Sequence, residues 1–138
     1  MSKKANSSNQ PLSGIRVLVG RARHQAGALS AELRKRGAVY IHVVRGSQLD
    51  AAPVVPEEFL IKLRKAFGAT ILLTGGLTKE IAEKLLQSDL ADLFGFGTLF
   101  ISNPDLVERF KNNWPLNSPD PKTFYGGDAK GYTDYPTY

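Results

Sequence analysis

Short apolar segments alternate with amphipathic ones along most of this chain, and this alternation is the feature that most limits its possible folds. The apolar segments cover residues 15–19, 40–44, 70–74 and 92–96. Nearly continuous apolar runs of this length are typical of strands buried on both faces of a parallel sheet. Since the segments between them have helical periodicity, the order predicts four βα units with right-handed crossovers.

Capping and breaking residues set the ends of the predicted helices. Residues 25–36 form a predicted helix that ends at Gly37, because glycine readily adopts the left-handed conformation that follows a helix. Pro56 is predicted to occupy the first position of the second helix, where its missing N–H costs nothing. Thr78 is a predicted N-cap of the third helix.

The last predicted helix begins at Asn103-Pro104, with Leu106, Val107 and Phe110 facing inward. From residue 115 onward the chain is rich in Pro, Gly, Asn and Asp, which predicts an irregular tail. Residues 1–13 are rich in Ser, Asn and Lys and are predicted to be a disordered head.

The chain of 138 residues is long enough for one compact domain, which we predict over residues 14–114. Four strands cannot close a packed eight-stranded barrel. The fold class is therefore α/β with a parallel sheet, either half of a (β/α)8 barrel or a small flavodoxin-like sandwich. Open sheet edges favour a homodimer.

Composition excludes several classes of protein. The chain has no cysteine, which excludes disulfides and thiolate metal sites and suits a cytoplasmic location. No apolar run approaches the roughly 20 residues of a membrane span. Residues 1–36 hold eight of the basic residues and a single acid, Glu32, but no aromatic residue, so we expect no nucleic-acid partner. A mitochondrial presequence stays open, because no acid precedes Glu32.

Two glycine-bearing turns follow neighbouring strands of the predicted sheet. Gly75-Gly76 comes after residues 70–74, and Gly97-Thr98 comes after residues 92–96. The carboxyl ends of parallel strands meet at one edge, where backbone N–H groups can approach an anion, and many α/β folds bind phosphate in this way. Glycine after a strand also makes ordinary tight turns, so the residues alone leave both interpretations open.

Three segments resemble the C-terminal part of the Old Yellow Enzyme family, the FMN-dependent ene-reductases. They are residues 37–44, the run Ile-Leu-Leu-Thr-Gly-Gly ending at Gly76, and the run Phe-Gly-Thr-Leu-Phe-Ile-Ser-Asn-Pro-Asp-Leu beginning at Phe96. The resemblance covers residues 31–138 and implies an FMN cofactor. The family fold is a complete barrel of roughly 250 residues, so a chain of 138 holds only part of it.

The resemblance also implies site residues. In the family the two glycine turns hold the FMN phosphate, so the contacts carried over by motif are Gly75, Gly76, Gly97 and Thr98, with Phe124 and Tyr125 near the edge of the flavin ring. Many relatives have an arginine where this chain has Thr98. The missing cation weakens phosphate affinity, although hydroxyl and backbone donors remain.

The family's flavin-ring contacts, its substrate-binding His-His or His-Asn pair and its tyrosine proton donor belong to earlier strands, and nothing before Ala31 resembles them. His24 and His42 are isolated, and His42, within an apolar strand, is predicted to be structural. We therefore assign no catalytic residue and no metal ligand. Hydride transfer needs both an oriented cofactor and a polarised substrate, so NAD(P)H is expected as a partner only if a complete site is assembled.

Residues 11–38 resemble the first βα unit of uroporphyrinogen-III synthase, which implies that Arg21 and Arg23 face a cleft for an acidic tetrapyrrole. The two resemblances together suggest a chimera or fragment joined within residues 25–36. Four interpretations stay open: an FMN-binding remnant, an ene-reductase active as an oligomer, a structural domain without ligand, and a synthase-like protein.

Overall fold

The computed structural model describes residues 26–46, 54–124 and 127–138. Within these ranges, helices and strands alternate as α1 (Ala26–Lys35), β1 (Tyr40–Val44), α2 (Glu57–Phe67), β2 (Thr70–Thr74), α3 (Lys79–Gln87), β3 (Leu93–Gly95), α4 (Thr98–Ser102) and α5 (Leu106–Asn112). Several predicted features lie outside the described residues: the head at residues 1–13, the strand at residues 15–19, Arg21, Arg23 and His24.

The three strands form one parallel sheet in the order β1-β2-β3. Tyr40 lies beside Thr70 at one end, and Thr74 lies between Val44 and Gly95 at the other. A helix separates each strand from the next, so each connection is a βα crossover. The predicted parallel α/β fold is confirmed, and the sheet is not closed into a barrel.

Burial alternates along the strands and places the core on one face of the sheet. The cluster combines alternate strand residues with helix residues: Ile41, Val43, Ile71 and Leu73 from the strands, and Leu33, Leu60, Leu63, Phe67 and Leu85 from α1, α2 and α3. Val44 and Leu93 are 54% and 51% exposed. Among the described residues, α1 to α3 therefore cover a single face, which fits a barrel segment better than a sandwich with helices on both faces.

The observed caps of α1 and α3 agree with the prediction, whereas the starts of α2 and of α5, which begins at Leu106 rather than at Asn103-Pro104, do not. The Thr78 hydroxyl oxygen accepts a hydrogen bond from the backbone N–H of Ile81 at 3.3 Å, and Gly37 has φ 86° after the last turn of α1. Pro56, however, is the N-cap of α2, with φ −73° and ψ 155°. The prediction that it occupies the first helical position was wrong by one residue, because its backbone is extended while its carbonyl already accepts from Leu60.

The segment after β3 differs more from the prediction. The five-residue helix α4 precedes α5, whereas the sequence predicted a single helix. Leu106 is buried as predicted, but Val107 is 61% exposed and Arg109 is only 3% exposed. The prediction for Val107 was wrong because α5 turns its arginine inward. Hydrogen bonds to Asp105 and to the carbonyls of Pro115 and Pro136 compensate for burying that charge.

Residues 115–124 and 127–138 contain neither helix nor strand, yet they pack on the domain. The backbone N–H of Asn117 donates to the side-chain oxygen of Asn103 at 2.7 Å. The ring of Tyr138 stacks on Trp114 with a centroid separation of 4.6 Å. None of the described helices is long and apolar enough to cross a membrane.

Candidate functional site

The sheet register brings the two glycine turns to adjacent positions. Thr74 and Gly95 are partners at the carboxyl ends of β2 and β3, so Gly75-Gly76 and Gly97-Thr98 leave the sheet side by side. Neighbouring strands lie about 4.8 Å apart, a separation that one phosphate group can span. The predicted phosphate contacts that lie in the described residues therefore share one edge of the sheet.

Gly75 and Gly76 have backbone conformations that favour glycine. Their φ angles are 89° and 58°, in the region that side chains with a Cβ rarely adopt. A Cβ added to Gly75 would lie 3.1 Å from the backbone nitrogen of Gly46. The turns after β1 and β2 therefore touch backbone to backbone, and the fold alone explains the glycine at position 75.

Gly97 is different, because neither its torsion angles nor its surroundings require glycine. Its φ is −84° and its ψ is −74°, and a Cβ added there would meet nothing within 4 Å. Gly97 precedes α4, and the first N–H groups of a helix have no acceptor inside that helix. Open space beside such N–H groups is what close approach of an anion requires.

Thr98 is half-buried at the start of α4, and its carbonyl oxygen accepts a hydrogen bond from the Ser102 hydroxyl at 3.3 Å. Phe124 is buried, with 8% of its surface exposed, so its ring takes part in packing. The position of Phe124 beside a flavin ring stays a prediction. Tyr125 lies outside the described residues.

Arg45 also lies at this edge, although no motif in the sequence points to it. It directly follows β1, and its Nη1 donates to the carbonyl oxygen of Gly76 at 3.3 Å. The available signal was an arginine immediately after a predicted strand, next to a glycine. That pattern is common at solvated strand ends, so it carried little information until the register placed Arg45 beside the β2 turn.

His42 is half-buried on the sheet face opposite the helices. Its Nε2 lies 2.9 Å from the hydroxyl oxygen of Thr74. The contact joins β1 to β2 just before the glycine turn, in line with the predicted structural role. Within the described ranges, no group of three His, Cys, Asp or Glu side chains could hold a metal ion.

Asp92 fixes the start of β3 and so helps to place the second turn. Burial raises the pKa of its carboxyl group, but the backbone N–H of Ile71 and the guanidinium of Arg64 outweigh burial and lower that pKa below its usual value. The two hydrogen bonds measure 2.8 and 2.7 Å. The ionised carboxylate therefore ties α2, β2 and β3 together at the end of the sheet opposite the glycine turns.

A groove of about 370 Å³ lies between α3 and α5. Most of the side chains that line it are apolar, and its polar lining residues are Lys79, Glu83 and Lys111. Phe96 and Phe110 meet in it edge to face, with ring centroids 5.2 Å apart. Phe94 of β3 and Phe96, which directly precedes Gly97, also line it, so the groove reaches the end of β3.

No family model matches the chain. A 12-oxophytodienoate reductase-like protein of Solanum lycopersicum is 40% identical over 109 residues, which is 78% of this chain and 29% of that protein. 12-oxophytodienoate reductase 7 of Oryza sativa subsp. japonica is 51% identical over 75 residues, which is 54% of this chain and 19% of that protein.

Solved structures of flavin-dependent reductases also match this chain over most of its length. Morphinone reductase in complex with tetrahydroNAD has a TM-score of 0.72 and 40% identity, over 84% of this chain and 30% of that one. The old yellow enzyme from Trypanosoma cruzi has a TM-score of 0.68 and 33% identity, over 83% of this chain and 30% of that one. The chain thus spans less than a third of the length of these relatives.

The resemblance of residues 11–38 to uroporphyrinogen-III synthase finds no support among these relatives. The resemblance of residues 31–138 to the Old Yellow Enzyme family is supported, since the matches cover a comparable share of the chain. FMN is the cofactor of the relatives' family, and NAD(P)H is another of its usual ligands. The homologues of this chain are flavin-dependent oxidoreductases of the Old Yellow Enzyme family.

Proposed function

We propose that this chain is the part of an Old Yellow Enzyme-like NAD(P)H:flavin oxidoreductase that binds the phosphate end of FMN, and that it does not catalyse ene-reduction by itself. The observation that carries the proposal is the pairing of Thr74 with Gly95, which sets two glycine turns side by side. The chain has less than a third of the length of its relatives, which supports the further proposal that it is a fragment or part of a chimera.

The proposed phosphate contacts are backbone N–H groups of Gly75, Gly76, Gly97 and Thr98, together with the Thr98 hydroxyl. Hydrogen bonds from such donors to an ionised phosphate are shorter and stronger than those between neutral groups. The unobstructed side of Gly97 gives the anion access to this edge. When bound, FMN supplies hydride transfer, and the role of the protein is to hold and orient it.

The described residues offer little to polarise a substrate. His42 is the only histidine among them, and its ring contacts the Thr74 hydroxyl. NAD(P)H would become a partner only in an assembly that completes the site. The exposed side chains of Val44 and Leu93 lie on the sheet face opposite the helices, where the remainder of a barrel, or a second copy in a homodimer, would pack.

The test is an FMN titration of the purified protein, followed by flavin fluorescence and by the emission of Trp114. We expect saturable binding that inorganic phosphate weakens. Gly97→Asp should abolish it, because the new carboxylate occupies the open space beside the N–H groups. Gly97→Asn has nearly the same shape without the charge and should weaken binding much less.

The Gly97 variants are cleaner than changes at Gly75, since a Cβ added at position 97 meets nothing within 4 Å and should leave folding intact. If Gly97→Asp binds FMN as tightly as the unchanged protein does, the phosphate site is not at this edge. If the folded, unchanged protein does not bind FMN at all, the proposed function is wrong and the turns are purely structural.

A further inference from the structure

Arg45 lies at the carboxyl end of β1, at the same sheet edge as the glycine turns. Its backbone N–H donates to the carbonyl oxygen of Thr74 at 2.7 Å, and its own carbonyl accepts from the N–H of Val55 at 2.8 Å. These two bonds fix the backbone on both sides of the Arg45 Cα. Its side chain therefore begins directly beside the end of β2.

The guanidinium of Arg45 extends along the edge to the second glycine of the β2 turn. Nη1 donates to the Gly76 carbonyl oxygen at 3.3 Å. An arginine side chain has five N–H donors in a planar fork that matches the geometry of phosphate oxygens. Among the described residues this is the one hydrogen bond that the Arg45 side chain makes. Most of its donors therefore remain for another acceptor, at the turn where the backbone N–H groups of the proposed site gather.

The charge of Arg45 is not neutralised by a carboxylate within the described ranges. Three other described arginines are paired, at 2.8, 2.7 and 2.7 Å respectively: Arg36 with Glu32, Arg64 with Asp92, and Arg109 with Asp105. Arg34, in the last turn of α1, resembles Arg45 in having no carboxylate partner among the described residues. Arg45 therefore combines a positive charge that no described carboxylate compensates with a fixed backbone and a hydrogen bond to Gly76.

We propose that Arg45 is the phosphate-binding cation of this chain and takes the place of the arginine that many relatives carry where Thr98 stands. The inference rests on the proposed FMN site and adds that its cation comes from the end of β1. The ligand it recognises is a phosphomonoester dianion, through charge-assisted hydrogen bonds from the guanidinium. Thr98, which is neutral, would then contribute its hydroxyl and N–H only.

The test compares FMN with riboflavin, which has the same ring system without the phosphate. Arg45→Gln should weaken FMN binding about tenfold or more, because hydrogen bonds to a charged group are lost, and should leave riboflavin affinity unchanged. Arg34→Gln removes the same charge from α1 and should change neither affinity. Adding Thr98→Arg to Arg45→Gln should recover most of the lost FMN affinity.

The outcomes separate this inference from the proposed function. If the unchanged protein binds FMN and Arg45→Gln binds it equally well, the inference is wrong and the proposed function stands. If the folded, unchanged protein does not bind FMN, both are wrong. Should Arg45→Gln fail to fold by circular dichroism, phenylglyoxal modification of the unchanged protein decides: inorganic phosphate should protect Arg45, and modification of Arg45 at an undiminished rate would overturn the inference.

Discussion

Arg109 and Asp105 form a buried ion pair that connects α5 to the irregular tail. Nε of Arg109 lies 2.7 Å from Oδ1 of Asp105, and the two side chains are only 3% and 16% exposed. The other carboxylate oxygen accepts from the backbone N–H of Tyr138 at 2.8 Å, while Nη2 of Arg109 donates to the Pro136 carbonyl at 3.1 Å. One ion pair thus holds the last residues of the chain against α5.

Replacing Arg109 with methionine should release the tail and destabilise the domain. Removing Arg109 leaves the Asp105 carboxylate and two carbonyl oxygens without this partner, so the free energy of unfolding should fall. The measurement is urea unfolding followed by Trp114 emission. Lys111→Met is the matched control on the same helix, since the Lys111 side chain is 72% exposed and its loss should cost less than about 0.5 kcal/mol. Equal stability of the two variants would contradict the role of the pair.

Acid should undock the tail by protonating Asp105. The backbone N–H of Tyr138 and the guanidinium of Arg109 lower the pKa of Asp105 in the folded protein, and the unfolded value is about 3.9. A lowered folded pKa means that the stabilisation is fully present above the unfolded pKa and is lost as the pH falls through the folded value. We expect a change in Trp114 emission below about pH 4, with none from this group between about pH 5 and pH 8.

In Asp105→Asn, which cannot titrate at this position, the acid change in emission should disappear and the tail should be loosened at every pH. Far-UV circular dichroism of the unchanged protein over the same pH range separates local release of the tail from global unfolding. An unaltered acid transition in Asp105→Asn would assign the change to another carboxyl group.

Gly95→Ala should destabilise the sheet at the base of the proposed site. A Cβ at position 95 would lie 2.5 Å from Cγ2 of Thr74, and overpacking of this kind costs about 1–3 kcal/mol. Thr74→Ser removes that methyl group, and the next Thr74 atom is 3.7 Å away. The double variant should therefore recover most of the lost stability in thermal unfolding. Additive losses would show that the strain arises elsewhere.

NADPH consumption with cyclohexenone should stay at the level of free FMN in solution, because the described residues include the proposed phosphate site but little to polarise a substrate. The assay is run at saturating FMN, with gel filtration to record the oligomeric state. Turnover above that level, in a fraction eluting as a dimer, would favour an enzyme completed by a second copy. Turnover by a monomer would overturn the proposal that the chain is not competent alone.

The parts of the fold that the sequence predicted well are those set by local residue types. The strands Tyr40–Val44 and Thr70–Thr74 have the predicted bounds, because short runs of apolar and β-branched residues favour strands and alternate residues of both runs are buried. The N-cap at Thr78 was equally local, since its hydroxyl serves the N–H of a residue three positions later.

The parts that could not be predicted depend on contacts between distant residues. Apolar periodicity placed Val107 inward. The buried residue is instead Arg109, because its guanidinium donates hydrogen bonds to carbonyl oxygens 6 and 27 residues farther along the chain. The helix Thr98–Ser102 is too short for periodicity to reveal. Arg45 reaches Gly76 across 31 positions, which only the register between β1 and β2 makes possible.

The order of the strands in the sheet has a consequence for how the domain is assembled. Each described strand pairs with the next one in sequence, so every pairing closes a loop of a single βα unit, and the entropy lost in closing such loops grows only slowly with length. The sheet can therefore grow one unit at a time as the chain leaves the ribosome. It can also lose units from one end without breaking the pairings between those that remain.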